Sequence, residues 1–498
     1  MPSSRGGPLW LYCALSGGCW HGGGSPAWRK RRSCITARLH CAGRRECTGG
    51  KVRQENADIL IVGAGQAGAQ TAADLRRRGF AGSILLVGDE PDEPYERPPL
   101  SKAYLAGQME AEQLPLRSAS FWSEAGVDCR TGLRVTALDP QARTATTADG
   151  LRLAYGKLVW AAGGGARRLQ APGAELKGVY TLRTRADADH VRAALGAGAD
   201  VVLIGGGYIG LEAAASIRSL NKRVTIVEAQ SRVLARSVAP QVSQALEAEH
   251  RARGVRILTG AHVAGLLGRD GRVTHVQLSG GEEIAADLVL VGIGLEPHDS
   301  PLATAGAVVG DGVHVDLQCR TSLPDVWAVG DCARQARSCA DGRAFRIESV
   351  ANALDQAAAA AAALLEQPPP PPAIPWFWSD QYDLRLQSVG LSVGHDDVLL
   401  RGDPTSGRFS VVYLRGGQVI ALDCLNAGQD FLAGKRLVAQ GARPDRAVLC
   451  DPQIPLKALL AATEGGGPRT MTSDSSNARG VSPSNAGIRP LQESGDCR

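Results

Sequence analysis

Three short apolar runs, each beginning with an aspartate and followed directly by a glycine, mark the chain. They occupy residues 58–62, 200–204 and 325–329. Continuous apolar runs of this length are typical of parallel strands that are buried on both faces of a sheet. The pattern therefore predicts three strand–glycine–helix units in an α/β protein.

The segments after the first two glycines follow the same order of elements. A helical pattern at residues 69–78 leads to an apolar strand at 83–87, and a second helical pattern at 211–220 leads to a strand at 224–227. A strand, a helix and a second strand in this order make up the βαβ unit of a nucleotide-binding fold. The sequence thus predicts two such units.

The pattern changes after the third unit. An alanine-rich segment at residues 352–365 predicts a helix, and the prolines at 368–372 end it as a stiff linker. Beyond the prolines we expect short strands and then one helix, at residues 384–391, 409–414, 419–425 and 429–440. This part of the chain is predicted to form a smaller α+β unit.

The formal net charge of +5 is concentrated at the amino terminus. Residues 1–56 contain ten of the 55 lysines and arginines and two of the 50 acids, so the rest of the chain has a net charge of −3. A nearly neutral body with 4% aromatic residues does not suit nucleic-acid binding. We expect residues 1–56 to be disordered or to result from a misassigned start, and residues 463–498 to be a disordered tail.

The apolar runs and the cysteines exclude two further classes of protein. All apolar runs are shorter than the roughly 18 residues that a membrane span needs. The 12 cysteines include no CxxC pair and have no histidines at zinc-site spacing, so no metal site is expected. The sequence predicts a soluble, cytoplasmic protein with free thiols.

The first glycine cluster has the spacing of a dinucleotide-binding fingerprint. It consists of Gly63, Gly65 and Gly68, between the first predicted strand and its helix. Glycines at this spacing allow a tight turn and bring a pyrophosphate close to backbone N–H groups at a helix amino terminus. Asp89 and Glu90 follow the next strand, where a carboxylate can accept hydrogen bonds from ribose hydroxyls.

A second fingerprint follows the strand at residues 200–204. It consists of Gly205, Gly207 and Gly210, and Glu228 stands at the end of the next strand. A carboxylate at that position binds free ribose hydroxyls and repels a 2′-phosphate, which favours NADH over NADPH. Arg232 and Arg236 lie near enough in the sequence to weaken that preference. A chain with two fingerprints has room for both a hydride donor and a flavin acceptor.

The two fingerprints occur together with four further motifs, at residues 98–102, 321–331, 346–353 and 375–381. With these motifs the chain, from about residue 57 to 460, resembles the FAD-dependent NADH:ferredoxin reductases of the pyridine nucleotide-disulfide oxidoreductase superfamily. The last two motifs are specific to that group. The chain departs from the family pattern at Ala162, where the family usually has threonine.

The resemblance implies a glutathione-reductase-like α/β fold with two Rossmann-like dinucleotide-binding domains and a small C-terminal α+β domain. The FAD domain would be discontinuous, at 57–160 and 288–366. The NAD domain would lie between its halves at 161–287, and the C-terminal reductase domain would span 374–462.

The resemblance also implies roles for individual residues. Lys102 would lie beside the flavin isoalloxazine and Glu212 on the nicotinamide side, although a helix carboxylate with ordinary partners is an alternative for Glu212. Trp378 would pack near the flavin pyrimidine, although tryptophans of this kind are more often core residues. Further positions that match cofactor-contacting residues of the family are Ala67, Asp89, Val135, Arg183, Gly292, Asp331 and Val350.

The implied function is transfer of a hydride from NADH to FAD and of single electrons to a [2Fe–2S] ferredoxin that serves a P450 or a ring-hydroxylating oxygenase. Residues 98–105, where disulfide reductases of this layout have a redox cysteine pair, contain no cysteine. Electrons must therefore leave the flavin for an external acceptor. The alternatives are a rubredoxin reductase, an NADH oxidase and a non-catalytic FAD/NADH redox sensor, and the protein would be a monomer or a homodimer.

Overall fold

The computed structural model describes residues 54–196, 199–336 and 342–460. Of the segment 1–56, only residues 54–56 are described, and they belong to the first strand. The tail expected to be disordered, 463–498, lies outside the described residues.

Residues 54–196 contain most of the first parallel sheet. Their strands are β1 (Gln54–Val62), β2 (Ile84–Val87), β3 (Val127–Arg130), β4 (Val135–Asp139), β5 (Thr144–Thr147), β6 (Arg152–Trp160), β7 (Gly164–Ala166) and β8 (Val179–Thr181). Their helices are α1 (Gln66–Arg77), α2 (Phe121–Glu124) and α3 (Arg185–Ala194). Strands β3, β2, β1 and β6 lie side by side in parallel, and the antiparallel pair β4–β5 continues from the start of β6.

Residues 199–336 contain most of a second parallel sheet, which β8 completes. Their strands are β9 (Asp200–Ile204), β10 (Arg223–Glu228), β11 (Arg256–Thr259), β12 (Val263–Arg269), β13 (Arg272–Leu278), β14 (Glu283–Ala285), β15 (Leu288–Val291), β16 (Leu295–Pro297), β17 (Val309–Gly310), β18 (Gly312–Val315), β19 (Val326–Ala328) and β20 (Ala333–Ala336). Their helices are α4 (Tyr208–Ser219), α5 (Pro240–Ala252) and α6 (Ser300–Thr304). The order in the sheet is β11-β10-β9-β15-β8, and β12, β13 and β14 form a separate antiparallel sheet.

Residues 342–460 contain a long helix and the predicted α+β unit. Their strands are β21 (Ala344–Arg346), β22 (Trp376–Gln381), β23 (Leu384–Gly390), β24 (Asp397–Asp403), β25 (Arg408–Arg415) and β26 (Gln418–Leu425). Their helices are α7 (Val350–Leu364), α8 (Gly428–Ala439) and α9 (Arg446–Cys450). The antiparallel sheet β22-β23-β26-β25-β24 packs one face against α8. Strands β22 and β24 are additions to the predicted set.

Helices α1 and α7 pack together against the first sheet. Ala72 of α1 and Ala360 and Ala361 of α7 are fully buried in the same apolar cluster as Ile61. Because alanine side chains are small, the two helices approach closely, which brings the start of α7 near the first fingerprint. Over the described ranges, no helix has both the length and the apolar character that crossing a membrane requires.

The third strand–glycine–helix unit differs from the other two. Strand β19 pairs in parallel with β6 on one side, and on the other side it is covered by residues 319–321. Gly330 begins a single 3₁₀ turn, Gly330–Cys332, and the chain then enters β20. The expected α-helix does not form there, because the backbone of residues 333–336 pairs with β18 and β21. The backbone N–H of Gly330 donates to the Gln356 side chain of α7 at 2.8 Å. Gly330, directly before Asp331, lies against Ala67 of the first fingerprint.

A buried aspartate in the C-terminal sheet predicts a pH dependence of stability. Asp423 is 3% exposed, and burial raises its pKa to about 6 even though Ser388 and Tyr413 donate hydrogen bonds to it. An acid whose pKa is higher in the folded than in the unfolded chain binds more protons when folded. Its contribution to the free energy of unfolding therefore falls as the pH rises from about 4 to about 6.

Asp423→Asn is expected to remove this dependence. Between pH 4 and pH 7 the free energy of unfolding of the variant should rise by up to about 3 kcal/mol relative to that of the unmodified protein. The reason is that each pKa unit corresponds to about 1.4 kcal/mol. Guanidinium unfolding of both proteins at several pH values, followed by tryptophan fluorescence, measures the difference. A difference that stays constant over this range would contradict the assignment.

Candidate functional site

The first glycine fingerprint packs around the carboxyl end of β1. Gly63 has a φ of +113°, and a β-carbon there would overlap with the carbonyl oxygen of Ala161. A β-carbon at Gly68 would overlap with the carbonyl oxygen of Gly63. At Gly65, no atom lies within 4 Å of the position that a β-carbon would take. The outer glycines are therefore required by packing, and Gly65 leaves an open approach to the start of α1.

The second fingerprint repeats this geometry at the end of β9. Gly205 has a φ of +110°, and a β-carbon there would overlap with the carbonyl oxygen of Gly292. A β-carbon at Gly210 would overlap with the carbonyl oxygen of Gly205, and at Gly207 no atom lies within 4 Å. Gly292, which follows β15, takes the place that Ala161 has beside β1. Each parallel sheet thus carries one open cradle at the start of a helix.

The helices α1 and α4 start without side-chain caps. Thr184 and Ser349 cap α3 and α7, since their hydroxyl oxygens accept hydrogen bonds from N–H groups of the first turn. Gly65 and Gly207 have no side chain that could do the same for α1 and α4. Uncapped N–H groups and the positive end of the helix dipole favour an anionic phosphate. Both cradles therefore fit the pyrophosphate of a dinucleotide.

Glu228 closes one side of the second cradle. One carboxylate oxygen accepts a hydrogen bond from the N–H of Gly206 at 2.6 Å, and the other accepts one from the N–H of Gln230 at 2.7 Å. Arg232 points elsewhere, because its guanidinium donates to the carbonyl oxygen of Ala235 and to the Ser243 hydroxyl. Glu228 is therefore bonded to the backbone of this cradle, and Arg232 does not neutralise it.

The two acids after β2 have different surroundings. Glu90 accepts hydrogen bonds from Arg97 at 2.5 Å and from the Tyr95 hydroxyl at 2.6 Å. Asp89 is exposed, and the preceding Gly88 lies against Ala64 of the first cradle. Of the two acids, Asp89 has the carboxylate that is accessible to a ligand.

Arg183 and Asp331, predicted separately, form an ion pair. The guanidinium Nη2 of Arg183 lies 2.8 Å from the carboxylate Oδ2 of Asp331, and both side chains are partly exposed. Arg183 also donates from Nε to the carbonyl oxygen of Gly164, and its own carbonyl oxygen accepts a hydrogen bond from Arg97. These bonds fix the pair at the carboxyl end of the first sheet.

The remaining predicted contacts lie around the same edge. Gly330 lies against the first turn of α1, since a β-carbon there would be 2.9 Å from that of Ala67. Val350 is the first residue of α7, the helix to which Gly330 is hydrogen-bonded. Val135 is buried at the start of β4, and the N–H of the nearby Leu133 donates to the carbonyl oxygen of Gly88 at 2.7 Å. The structure thus brings these positions together around the first cradle.

Lys102 and Glu212 form a second ion pair between the two parallel sheets. The ammonium Nζ of Lys102 lies 2.6 Å from Oε2 of Glu212, whose side chain is 2% exposed. Lys102 follows the 3₁₀ turn Pro98–Ser101, and Glu212 belongs to the first turns of α4. A satisfied helix carboxylate, the alternative for Glu212, and a position on the nicotinamide side are both compatible with this geometry.

Sequence reasoning missed two residues that bind Glu212. The Ser101 hydroxyl donates to Oε2 and the Ser379 hydroxyl to Oε1, each at 2.6 Å. Both serines lie inside motifs that carried the family resemblance, which was the available signal. Because Ser379 belongs to β22, the carboxylate of Glu212 is held by groups from residues 54–196 and from residues 342–460.

Trp378 lies on the face of β22 opposite to Ser379. Its ring stacks with that of Trp376 at 5.6 Å between centroids, and Trp376 in turn contacts Phe431 of α8. The Trp378 side chain is half-buried. Both a core role and a cofactor contact are compatible with this position.

The thiol next to Asp331 is not reactive. Cys332 is fully buried, and burial raises the pKa of its thiol to about 12. The cysteines of the described residues are all free. Cys332 therefore behaves as a small apolar residue, as expected, and the place beside Glu212 is taken by a lysine instead of a thiol.

Comparisons with known proteins agree with this geometry. The family model described as pyridine nucleotide-disulphide oxidoreductase matches residues 57–357, and the one described as reductase C-terminal matches residues 376–460. The 5,5'-dehydrodivanillate O-demethylase ferredoxin reductase subunit of a Sphingobium species is 51% identical over 406 residues, 81% of this chain and 98% of that protein. Putidaredoxin reductase of Pseudomonas putida is 42% identical over 414 residues, 82% of this chain and 98% of that protein. A crystal structure of the covalent putidaredoxin reductase–putidaredoxin complex aligns with a TM-score of 0.80 at 40% identity, over 82% of this chain and 99% of that chain.

Proposed function

The chain belongs to the pyridine nucleotide-disulphide oxidoreductase family, and from this premise we propose that it is an NADH-dependent ferredoxin reductase. It takes a hydride from NADH and passes electrons singly to a [2Fe–2S] ferredoxin that serves a P450 or a ring-hydroxylating oxygenase. The ion pair Lys102–Glu212 carries the proposal. It links helix α4, which starts at the second cradle, to the segment 98–105, where disulfide reductases have a redox cysteine pair.

FAD occupies the first cradle in this proposal. Gly65 and the uncapped start of α1 would admit its pyrophosphate, and Asp89 would bind its adenosine ribose. Asp331 would bind its ribityl or pyrophosphate part, and Arg183 would be a further contact. Val135, Val350 and Trp378 complete its apolar surroundings. When bound, FAD would accept one hydride, which carries two electrons, and would release these electrons one at a time. The residues around it supply position and charge.

NADH occupies the second cradle. Its pyrophosphate lies at Gly207, and Glu228 accepts hydrogen bonds from the adenosine ribose. Lys102 and Glu212 are paired between the segment after Pro98–Ser101 and helix α4. In this proposal Glu212 orients the nicotinamide and Lys102 sets the charge beside the flavin. Because Arg232 is bound to Ala235 and Ser243, no guanidinium from this position offsets the negative charge of Glu228.

Glu228→Gln is expected to reduce the preference for NADH. Removal of one negative charge at the 2′ position should lower the ratio of kcat/KM for NADH to that for NADPH by about tenfold, or about 1.4 kcal/mol. Assays with ferricyanide as the acceptor measure both values. Glu247→Gln, which removes a carboxylate on the outer side of α5, is the matched control and should leave the ratio unchanged. An unchanged ratio in Glu228→Gln would contradict the assignment.

Anaerobic stopped-flow absorbance tests the function as a whole. The FAD-loaded protein should bleach rapidly with NADH and slowly with NADPH, and should then reduce cytochrome c only when a [2Fe–2S] ferredoxin is added. Turnover with rubredoxin or with oxygen in place of ferredoxin would favour a rubredoxin reductase or an NADH oxidase. Bleaching without turnover on any carrier would favour a redox sensor.

The domain division proposed with this function follows the two cradles. The FAD domain comprises 57–160 and 288–366, the NAD domain 161–287, and the C-terminal reductase domain 374–462. A carrier-linked reductase of this kind works in the cytoplasm, as a monomer or a homodimer.

A further inference from the structure

A row of buried polar side chains leads from helix α5 to the carboxylate of Glu212. Ser379 and Gln381 point from the same face of β22 and are each 1% exposed, and His250 of α5 is fully buried. Polar groups buried this deeply are costly unless they are hydrogen-bonded. All three are hydrogen-bonded, and each is bonded to the next.

The distances define a continuous path. Ser379 Oγ lies 2.6 Å from Glu212 Oε1, and Gln381 Nε2 lies 3.1 Å from Ser379 Oγ. His250 Nε2 lies 3.0 Å from Gln381 Oε1, and the Tyr382 hydroxyl lies 3.4 Å from His250 Nδ1. The path runs from α5 to β22 of the C-terminal sheet and from there to α4.

The chemistry of the groups fixes the direction of every bond. A carboxylate paired with Lys102 only accepts, so the single proton of Ser379 points to Glu212. Ser379 Oγ must then accept, which places the amide N–H of Gln381 towards it and the Gln381 carbonyl oxygen towards His250. His250 Nε2 must carry a proton, and Nδ1 is left as the acceptor for Tyr382. All four hydrogen bonds of the path thus point one way, towards Glu212.

His250 is the neutral end of this path. Burial lowers the pKa of its imidazole, and the hydrogen bond to Gln381 only partly offsets that effect. A neutral imidazole has one donor and one acceptor nitrogen, which is what the path requires. The acid nearest to it along α5, Glu249, is bound by Arg253 on the outer side of the helix.

We propose that Gln381 and His250 are positioning residues that hold the Ser379 hydroxyl on Glu212, and through it hold the Lys102–Glu212 pair in place. The proposal rests on the proposed role of Glu212 in NADH oxidation. Without the amide of Gln381 behind it, the Ser379 hydroxyl is free to rotate, and Glu212 Oε1 loses its only hydrogen bond among the described residues. A carboxylate held by one oxygen alone turns about its Cγ–Cδ bond.

Gln381→Glu is the sharpest test, because it keeps the volume and reverses the donors. A carboxylate at position 381 accepts from His250 and also draws the Ser379 proton away from Glu212. We expect the rate of flavin reduction by NADH to fall about tenfold or more, the loss that one hydrogen bond to a charged group produces. The NADH dissociation constant should change much less. Gln381→Leu should lower the rate similarly, and His250→Gln, which keeps a donor N–H, should lower it less than His250→Leu.

Asp380→Asn is the matched control. Asp380 lies on the opposite face of the same strand and pairs with Arg385 at the surface. The rate of flavin reduction in Asp380→Asn should therefore equal that of the unmodified protein. A thermal midpoint and a bound-flavin spectrum for each variant show whether it is folded and loaded. If Gln381 had only a structural role, Gln381→Glu would lower the thermal midpoint, and the folded, FAD-loaded protein would still be reduced at the unmodified rate.

Side-chain ¹⁵N NMR of histidine-labelled protein supplies a readout that is independent of activity. The His250 signal, assigned by its loss in His250→Leu, should show a proton on Nε2 and a bare Nδ1. In Gln381→Glu it should become doubly protonated. A proton on Nδ1 of His250 in the unmodified protein would overturn the proposal. So would a Gln381→Glu protein that NADH reduces as fast as it reduces the unmodified one. If the unmodified protein is not reduced by NADH at all, the proposed function itself is wrong and the positioning role falls with it.

Discussion

Gly65→Val is expected to give a folded protein that no longer holds FAD. Gly65 has an extended backbone, φ −85° and ψ −167°, which valine adopts readily. No atom lies within 4 Å of a β-carbon at this position, so the fold itself has room for the side chain. The cost of losing a glycine at a helix N-cap is about 1 kcal/mol. The branched side chain fills the open approach to α1, and FAD affinity should fall by about a thousandfold or more, or 4 kcal/mol.

Gly207→Val makes the same change in the second cradle and should impair the binding of NADH while leaving FAD bound. The backbone of Gly207 is also extended, with φ −79° and ψ −177°. No atom lies within 4 Å of a β-carbon at this position either. The variant should keep its flavin spectrum but should not bleach at NADH concentrations that reduce the unmodified protein. Flavin content after gel filtration and stopped-flow reduction by NADH measure the two effects separately.

Gly68→Ala distinguishes loss of a ligand from loss of the fold. A β-carbon at Gly68 overlaps with the backbone of Gly63, which cannot move because β1 is central to its sheet. This variant should lose helical content as well as FAD, as measured by circular dichroism, whereas Gly65→Val should lose FAD alone. A Gly65→Val protein with normal flavin content, or a Gly207→Val protein that is reduced normally, would refute the assignment of that cradle.

Local sequence signals were sufficient for the two parallel sheets and their cradles. The apolar runs ending at Gly63 and Gly205 predicted β1 and β9, because buried parallel strands impose a continuous apolar run and the fingerprint imposes its own turn. Helices α1 and α4 begin three residues earlier than their predicted starts at 69 and 211. The difference arises because helix starts at glycine lack a capping side chain that would mark them in the sequence.

Other elements depend on partners that are distant in sequence. Strand β22 contains Trp376 and Trp378 in a run without clear alternation, and its pairing with β23 follows from the fold more than from the run itself. The pair Arg183–Asp331 joins residues 148 positions apart. The resemblance predicted both as cofactor contacts, but a single sequence does not show that they touch each other.

Lys102→Met is expected to slow flavin reduction by NADH by about a hundredfold, a loss of about 3 kcal/mol in the transition state. Methionine keeps the length of the side chain and removes its charge. Glu212, 2% exposed, then keeps two hydroxyl donors but has no cation. Removal of one partner of a buried ion pair usually costs a few kcal/mol, and the partial exposure of Lys102 reduces that to roughly 2–3 kcal/mol in the free energy of unfolding. Stopped-flow reduction and guanidinium unfolding measure the two losses.

The double variant Lys102→Met/Glu212→Gln separates charge from position. The amide oxygen introduced at position 212 accepts from one serine hydroxyl, and the amide NH2 group donates to the hydroxyl oxygen of the other. The stability lost in Lys102→Met should therefore largely return, while the slow reduction should remain because the cation beside the flavin is still missing. Lys157→Met is the control, since the Lys157 ammonium donates to the carbonyl oxygen of Leu364 at 2.8 Å, away from both cradles. If the double variant recovers the rate together with the stability, Lys102 serves only to neutralise Glu212. If it recovers neither, the two side chains do not act as a pair.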